Sequence, residues 1–204
     1  MAIPERFDSR PLFDELWLDY TLDNVMPDRL AVAAALTFRQ GLTKSFKVPD
    51  PIFTVTASAI EDLASSRDLR VNQVVPGELS RSRGNAVLVV NVDNPSATVV
   101  NTRGGRRHIA FNILRSDRFA GALLAMDSLS LASNAWLHQR HPSSPLEAHL
   151  PYLAVAVLTA EDLGAGAIAL MTDVLESDRA LAKKVRRLCN AVGLSLLSSS
   201  HDGD

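Results

Sequence analysis

Several things are scarce in this chain of 204 residues. It has one cysteine, Cys189, which excludes a disulfide framework and a zinc ribbon. Aromatic residues make up 5% of it, so there is little material for base-stacking platforms. Ten glycines and ten prolines are too few for a fibrous or low-complexity protein. No apolar run reaches the roughly 18 residues of a membrane span, and the first residues, MAIPERFDSR, contain no apolar signal-type segment. These absences predict a cytoplasmic, membrane-free protein. Motif absences narrow the chemistry further. The chain contains no G-x-S-x-G elbow, no phosphate-binding G-x-x-x-x-G-K-[ST] loop and no H-E-x-x-H, and Gly164 and Gly166 lack the third glycine of a dinucleotide fingerprint. Adjacent carboxylates such as Glu61-Asp62 and Glu161-Asp162 point apart and make poor acid/base dyads. No catalytic residue and no cofactor is predicted.

What is present is a core. Apolar residues are 47% of the chain and charged ones 22%, a balance that buries roughly 70% of the unfolded surface at this length without staples. The expectation is one domain over 1–204, with 1–45 a helical arm or hairpin. The net charge of −2 hides an uneven distribution: −4 over residues 1–66, +5 over 67–119 and −3 over 120–204. All nine cations of the middle block are arginine, whose planar fork suits phosphate or carboxylate oxygens. With 17 Arg against 4 Lys overall, base composition of the gene accounts for the ratio, but it does not account for the clustering.

Local patterns assign most elements. Pro11 with Asp14 and Glu15 in a first turn, and Leu12, Leu16 and Tyr20 on one face, predict a helix over 11–23. A second helix starts at Pro27 and closes at Gly41. Residues 52–56 form a β-branched segment, Ser58-x-x-Glu61 a capping box, and 69–75 a strand before the Pro76-Gly77 turn. Residues 86–92 (AVLVVNV), 97–101 and the alternating stretch up to Ile113 read as a central antiparallel meander. Its first strand is apolar on both faces, hence central and covered on both sides. A long helix is expected from Ser116 or Asp117 to His138, on the stripe Phe119, Leu123, Met126, Leu129 and Trp136. Ser144 caps a helix that Pro151 interrupts, residues 152–158 lean towards a strand, and 165–171 stay unassigned. The last helix covers 178–192 with Ser177 as cap and Gly193 as terminator, and 194–198 is a final strand. The sum is an α+β fold, its meander packed by N-terminal, middle and C-terminal helices.

Three constellations could carry function. Thr102-Arg103-Gly104-Gly105-Arg106-Arg107-His108, with Arg81 and Arg83 leading into the same sheet, combines exposed backbone with cationic forks and suits a nucleic-acid backbone, another phosphate-bearing ligand or an acidic partner. The bland alternative is a hairpin turn whose arginines protect an edge. Arg179, Lys183 and Arg187 form a basic stripe on the last helix, which the helix dipole explains equally well. His138, His141, Glu147 and His149 fall close together and would serve a metal-dependent hydrolase or lyase, although two prolines divide them and no zinc motif fits. The leading expectation is a non-enzymatic binding or assembly protein that uses Arg81, Arg83, Arg103, Arg106, Arg107, His108, Lys183 and Arg187, and that self-associates through its N-terminal helices, where Trp17 and Tyr20 lie. The metal-dependent enzyme and a purely protein-binding regulatory domain are its rivals.

Overall fold

The computed structural model describes residues 13–64, 68–77, 84–94, 105–139 and 141–199. In chain order its elements are α1 (Pro27–Thr37), β1 (Ser45–Phe46), β2 (Ile52–Phe53), α2 (Thr54–Leu63), β3 (Arg70–Val71), β4 (Val74–Val75), β5 (Ala86–Val92), β6 (Arg107–Arg115), β7 (Ala122–Leu124), β8 (Ser128–Ser133), α3 (Pro145–Thr159), β9 (Ala165–Met171), α4 (Thr172–Glu176), α5 (Arg179–Ala191) and β10 (Ser195–Ser199). Helices and a six-stranded, mostly parallel sheet make an α+β fold. No helix among the described residues is long and apolar enough to cross a membrane.

The sheet order is β10-β9-β5-β6-β8-β7. Five strands run parallel and only β7 is antiparallel to its neighbour. This corrects the expected meander. β5 and β6 pair in parallel over seven residues, from Ala86↔Arg107 to Val92↔Ile113. The stretch 97–101, expected as the strand between them, falls outside the described residues. The doubly apolar β5 is indeed central, flanked by β6 and β9, and such a strand is the signature of parallel rather than antiparallel pairing. After β8 the chain returns through α3 to the far side of β5, so β5 and β9 are neighbours that lead the chain in opposite directions across the sheet.

One sheet face, with Leu88, Val90, Ile109, Phe111, Ile113, Leu129, Leu131, Ile168 and Leu170, packs against apolar residues of all five helices in a single cluster. The other face has a small cluster of its own, Val87, Ala167 and Ala169 with Val89 and Leu197. Strand alternation sorts these residues one by one onto the two faces. Residues 152–158 are helical, not extended: every residue from Leu150 to Thr159 is buried, and a helix buried all round has no periodicity to betray it. That helix runs through Pro151 without ending.

The expected helix over 116–138 is replaced by a β-hairpin, β7 and β8, and a 3-10 turn at Ala135–His138. Its stripe was coincidental. Leu129 and Leu131 are inward at strand spacing, Leu123 and Met126 are exposed, and Gly121 adopts φ +88°. Residues 13–25 form no helix either. Leu18 bridges Ser133, Asp19 N–H donates to the Ala132 carbonyl, and Trp17 N–H donates to Asn134 Oδ1 at 2.9 Å. Asn134 Nδ2 donates to the Glu15 carbonyl and Ser133 Oγ to that of Trp17, so this segment takes its backbone partners from the end of β8. The described part of the 1–45 region is docked on the fold: α1 packs on α3 and buries Ala31, Val32, Ala33, Ala35 and Leu36.

Candidate polyanion interface

Parallel pairing has a direct consequence for the basic segments. It sets the amino ends of β5, β6, β8 and β9 along one edge of the sheet. Asn85, just before β5, donates through Nδ2 to the Gly105 carbonyl, just before β6, at 3.2 Å. The segments holding Arg81 and Arg83 and that holding Arg103 therefore lead into adjacent points of this edge; those three residues lie outside the described ones. Backbone is close-set here. A Cβ on Gly84 would stand 2.2 Å from the Gly164 carbonyl oxygen, whereas Gly105, at φ +72°, has open space beside it. Only glycine accommodates both conditions cheaply.

Arg106 and Arg107 are exposed, and His108 is half-buried on β6. The Arg107 guanidinium donates to the Met126 carbonyl and lies 4.0 Å from Asp127, which holds it along the edge but leaves half of the side chain in water. An exposed pair at that distance stabilises little, so the cation stays available to a stronger anion.

The last helix places its stripe differently. α5 carries the chain from the carboxyl end of β9 back to the amino end of β10, and Asp178, not Ser177, is its N-cap, accepting from Leu181 N–H at 2.9 Å. Arg187 reaches α2, with Nη1 3.2 Å from Asp62 Oδ2 and Nη2 donating to Ser58 Oγ at 2.9 Å. It clasps two helices, while Lys183 is exposed. β6 stands three strands from β10, roughly 14 Å across the sheet at the usual strand spacing. A ligand that touched both Arg107 and α5 would have to be extended.

The histidine-rich turn does not converge. His138 Nε2 faces the Glu15 carbonyl at 3.0 Å, its ring edge-on to Phe38 with centroids 5.3 Å apart. His149 Nδ1 faces the Pro145 carbonyl at 2.8 Å, and His141 is exposed at φ +40°. Glu147 pairs with Arg39 at 2.6 Å and accepts from the Ser143 N–H and hydroxyl. Burial works against ionisation of Glu147, but the Ser143 bonds and Arg39 outweigh it and hold the carboxyl below its ordinary value. Among the described residues no three His, Cys, Asp or Glu side chains are grouped to hold a metal ion. Cys189 is fully buried, and burial pushes its thiol up to about 12, so it packs as a small hydrophobe.

A cluster at the opposite edge was not legible in the sequence. Arg115, at the carboxyl end of β6, forms two bonds to Asp117 at 3.0 and 2.8 Å and lies 4.1 Å over the Trp136 ring. Its N–H donates to Asp93 Oδ1, and Asp93, directly after β5, adopts φ +54°. Burial, with Asp93 adding to it, pushes the Tyr152 hydroxyl up to about 12. The one sequence signal is Asp93, since aspartate tolerates the left-handed region. Carboxyl ends of parallel strands are where open α/β sheets hold small ligands, yet the Arg115 fork here is occupied by the chain's own Asp117. The amino edge offers the freer cations. No family model matches this chain, and no match was found among curated proteins or solved structures.

Proposed function

We propose that this chain is a non-enzymatic binding or assembly protein that contacts a polyanion, namely a nucleic-acid backbone or another phosphate-bearing ligand, along the amino edge of its parallel sheet. Arg106, Arg107 and His108 would meet the anion, joined by Arg81, Arg83 and Arg103 from the segments entering that edge. The observation that supports the reading is the Ala86↔Arg107 register with its Asn85–Gly105 hydrogen bond, which sets the starts of β5 and β6 side by side. Exposed glycine backbone beside permanently charged forks suits contact with phosphates and needs no base readout. An edge away from the carboxyl ends of the strands also favours a long ligand over a small molecule. Lys183, in the second turn of α5, would be met only by a ligand that runs along that helix away from the edge, and Arg187 would join only by sharing its guanidinium with Asp62.

Replacing Arg103, Arg106 and Arg107 together with Ala tests this. Retention on heparin and affinity for duplex DNA should fall most at low salt. The slope of log affinity against log salt should drop by about 0.9 for each phosphate that the variant no longer neutralises. The thermal midpoint should barely move, because exposed cations contribute little to folding. Unchanged retention and an unchanged slope would remove the proposal.

A further inference from the structure

The two borders of the sheet differ in kind. β10 ends it with Ser195, Ser198 and Ser199 at partly or fully exposed positions. β7, at the other border, pairs only with β8 among the described residues, and all three of its residues, Ala122, Leu123 and Leu124, are exposed. Leu123 is 66% and Leu124 62% exposed, and Met126, just beyond, is 82% exposed. This apolar border strand carries no lysine, proline or bulge, and its shortness is the one usual device against pairing with another chain that it has.

The outward backbone groups can be assigned. In the ladder Ala122↔Leu131, Leu123↔Ser130, Leu124↔Leu129, the flanking bonds are Ala132 N–H to the Gly121 carbonyl and Ala125 N–H to the Ser128 carbonyl. Antiparallel bonding alternates, so Leu123 bonds inward to Ser130, while the N–H and C=O groups of Ala122 and Leu124 point away from β8. Gly121 is fixed by Asp19, whose carboxylate accepts its N–H, so the strand is held at its start.

We propose that β7 is a self-pairing edge, on which a second copy of this chain docks antiparallel about a two-fold axis through Leu123. The axis makes the pattern self-complementary. Ala122 exchanges both backbone bonds with the partner's Leu124, and Leu124 with the partner's Ala122. On the face shared by those two, a small side chain stands beside a large one at both sites, which packs without a clash. On the other face Leu123 meets the partner's Leu123. Charge agrees as well: Arg118, exposed before the strand, is brought towards the partner's Asp127, which follows the strand, and the same pairing recurs at the other end. The two six-stranded sheets become one of twelve strands. Three residues bury less than the 1,200–2,000 Å² typical of stable interfaces, so the dimer is a concentration-dependent one.

The surface adjoins the amino-edge arginines only at Arg107, which meets the Met126 carbonyl and Asp127, and its test is read without any polyanion present. Sedimentation equilibrium of the full chain should show a reversible monomer–dimer equilibrium, and hydrogen exchange at the Ala122 and Leu124 amides should slow as concentration rises. Leu123→Lys with Leu124→Lys should raise the dimer dissociation constant by about tenfold or more, which corresponds to roughly 1.4 kcal/mol or more. Leu124→Pro removes one outward donor without touching the β8 ladder and should weaken the dimer likewise. An unchanged far-UV spectrum and thermal midpoint of the monomer establish that both variants fold. A chain that stays monomeric at all attainable concentrations would overturn the proposal. So would a dimer indifferent to both variants, or an edge that pairs only with an unrelated extended peptide.

Discussion

His138 is a half-buried titratable ring on a turn that holds the N-terminal segment in place. Burial against Phe38 lowers its pKa below the ordinary 6.5, and its bond to the Glu15 carbonyl only partly opposes the shift. The unfolded chain therefore takes up a proton before the folded chain does, and stability falls as pH drops. The contribution is complete above about 6.5, the unfolded value, and is lost as pH falls through the folded one. The expected result is a thermal midpoint that declines in this window in the wild type and declines less in His138→Gln, which keeps a donor but does not titrate. Parallel midpoint curves for the two proteins between pH 8 and about 5 would show that the ring's burial does not control the response. Arg29 illustrates a different residue-scale feature. Its side chain is 2% exposed and Nη1 lies 2.8 Å from Glu161 Oε2, but that contact is not aligned as a hydrogen bond and Nε has no partner among the described residues. Nothing in the composition of α1 announces a buried arginine, because burial of a charge depends on where a distant carboxylate ends up.

At the scale of elements, local chemistry succeeded where the chain's own neighbours decide the conformation. Ser144 accepts from Glu147 N–H at 3.2 Å, with Pro145 in the first turn, as its spacing implies. Ser144→Ala should cost about 1 kcal/mol, read as a lower urea midpoint at unchanged slope, because α3 lies in the core and cannot fray alone. Gly193, at φ +76°, likewise ends the last helix at its expected place. Ser58 shows how the same signal misleads. α2 begins four residues earlier at Thr54, Ser58 bonds Arg187, and Glu61 accepts from Val71 N–H at 3.2 Å, so the side chains of that capping box serve other elements. The 116–138 stretch shows competition between periods. Leu123, Met126 and Leu129 fit a helical stripe, but Leu129 and Leu131 also fit a strand, and pairing of β8 with β6 decided for the strand.

On the scale of the whole molecule, the five parallel strands require long crossovers, and their bonds form only after distant segments meet. The central strands β5, β6 and β9 are enclosed by neighbours on both sides, so their amides should exchange only through global unfolding. The segment 13–25 is held by a few bonds to the end of β8 and should exchange through local opening, orders of magnitude faster. Exchange mass spectrometry under native conditions checks this; equal protection of the two regions would mean that the N-terminal segment belongs to the cooperative core. The same crossovers explain the division between what was readable in advance and what was not. Composition and alternation alone determined that the chain has a core, that 86–92 is a central strand, that α1, α3 and α5 begin near their proline and cap signals, and that the cations gather in the middle third. Direction of pairing was left open by them, since the continuous apolar run of β5 fits a parallel strand while the alternation of β6 fits an antiparallel one. Tertiary structure decided it by returning the chain to the amino edge after each strand. That choice set Asn85 beside Gly105 at the amino edge, where Arg106 and Arg107 lie, and left β7 as an apolar border.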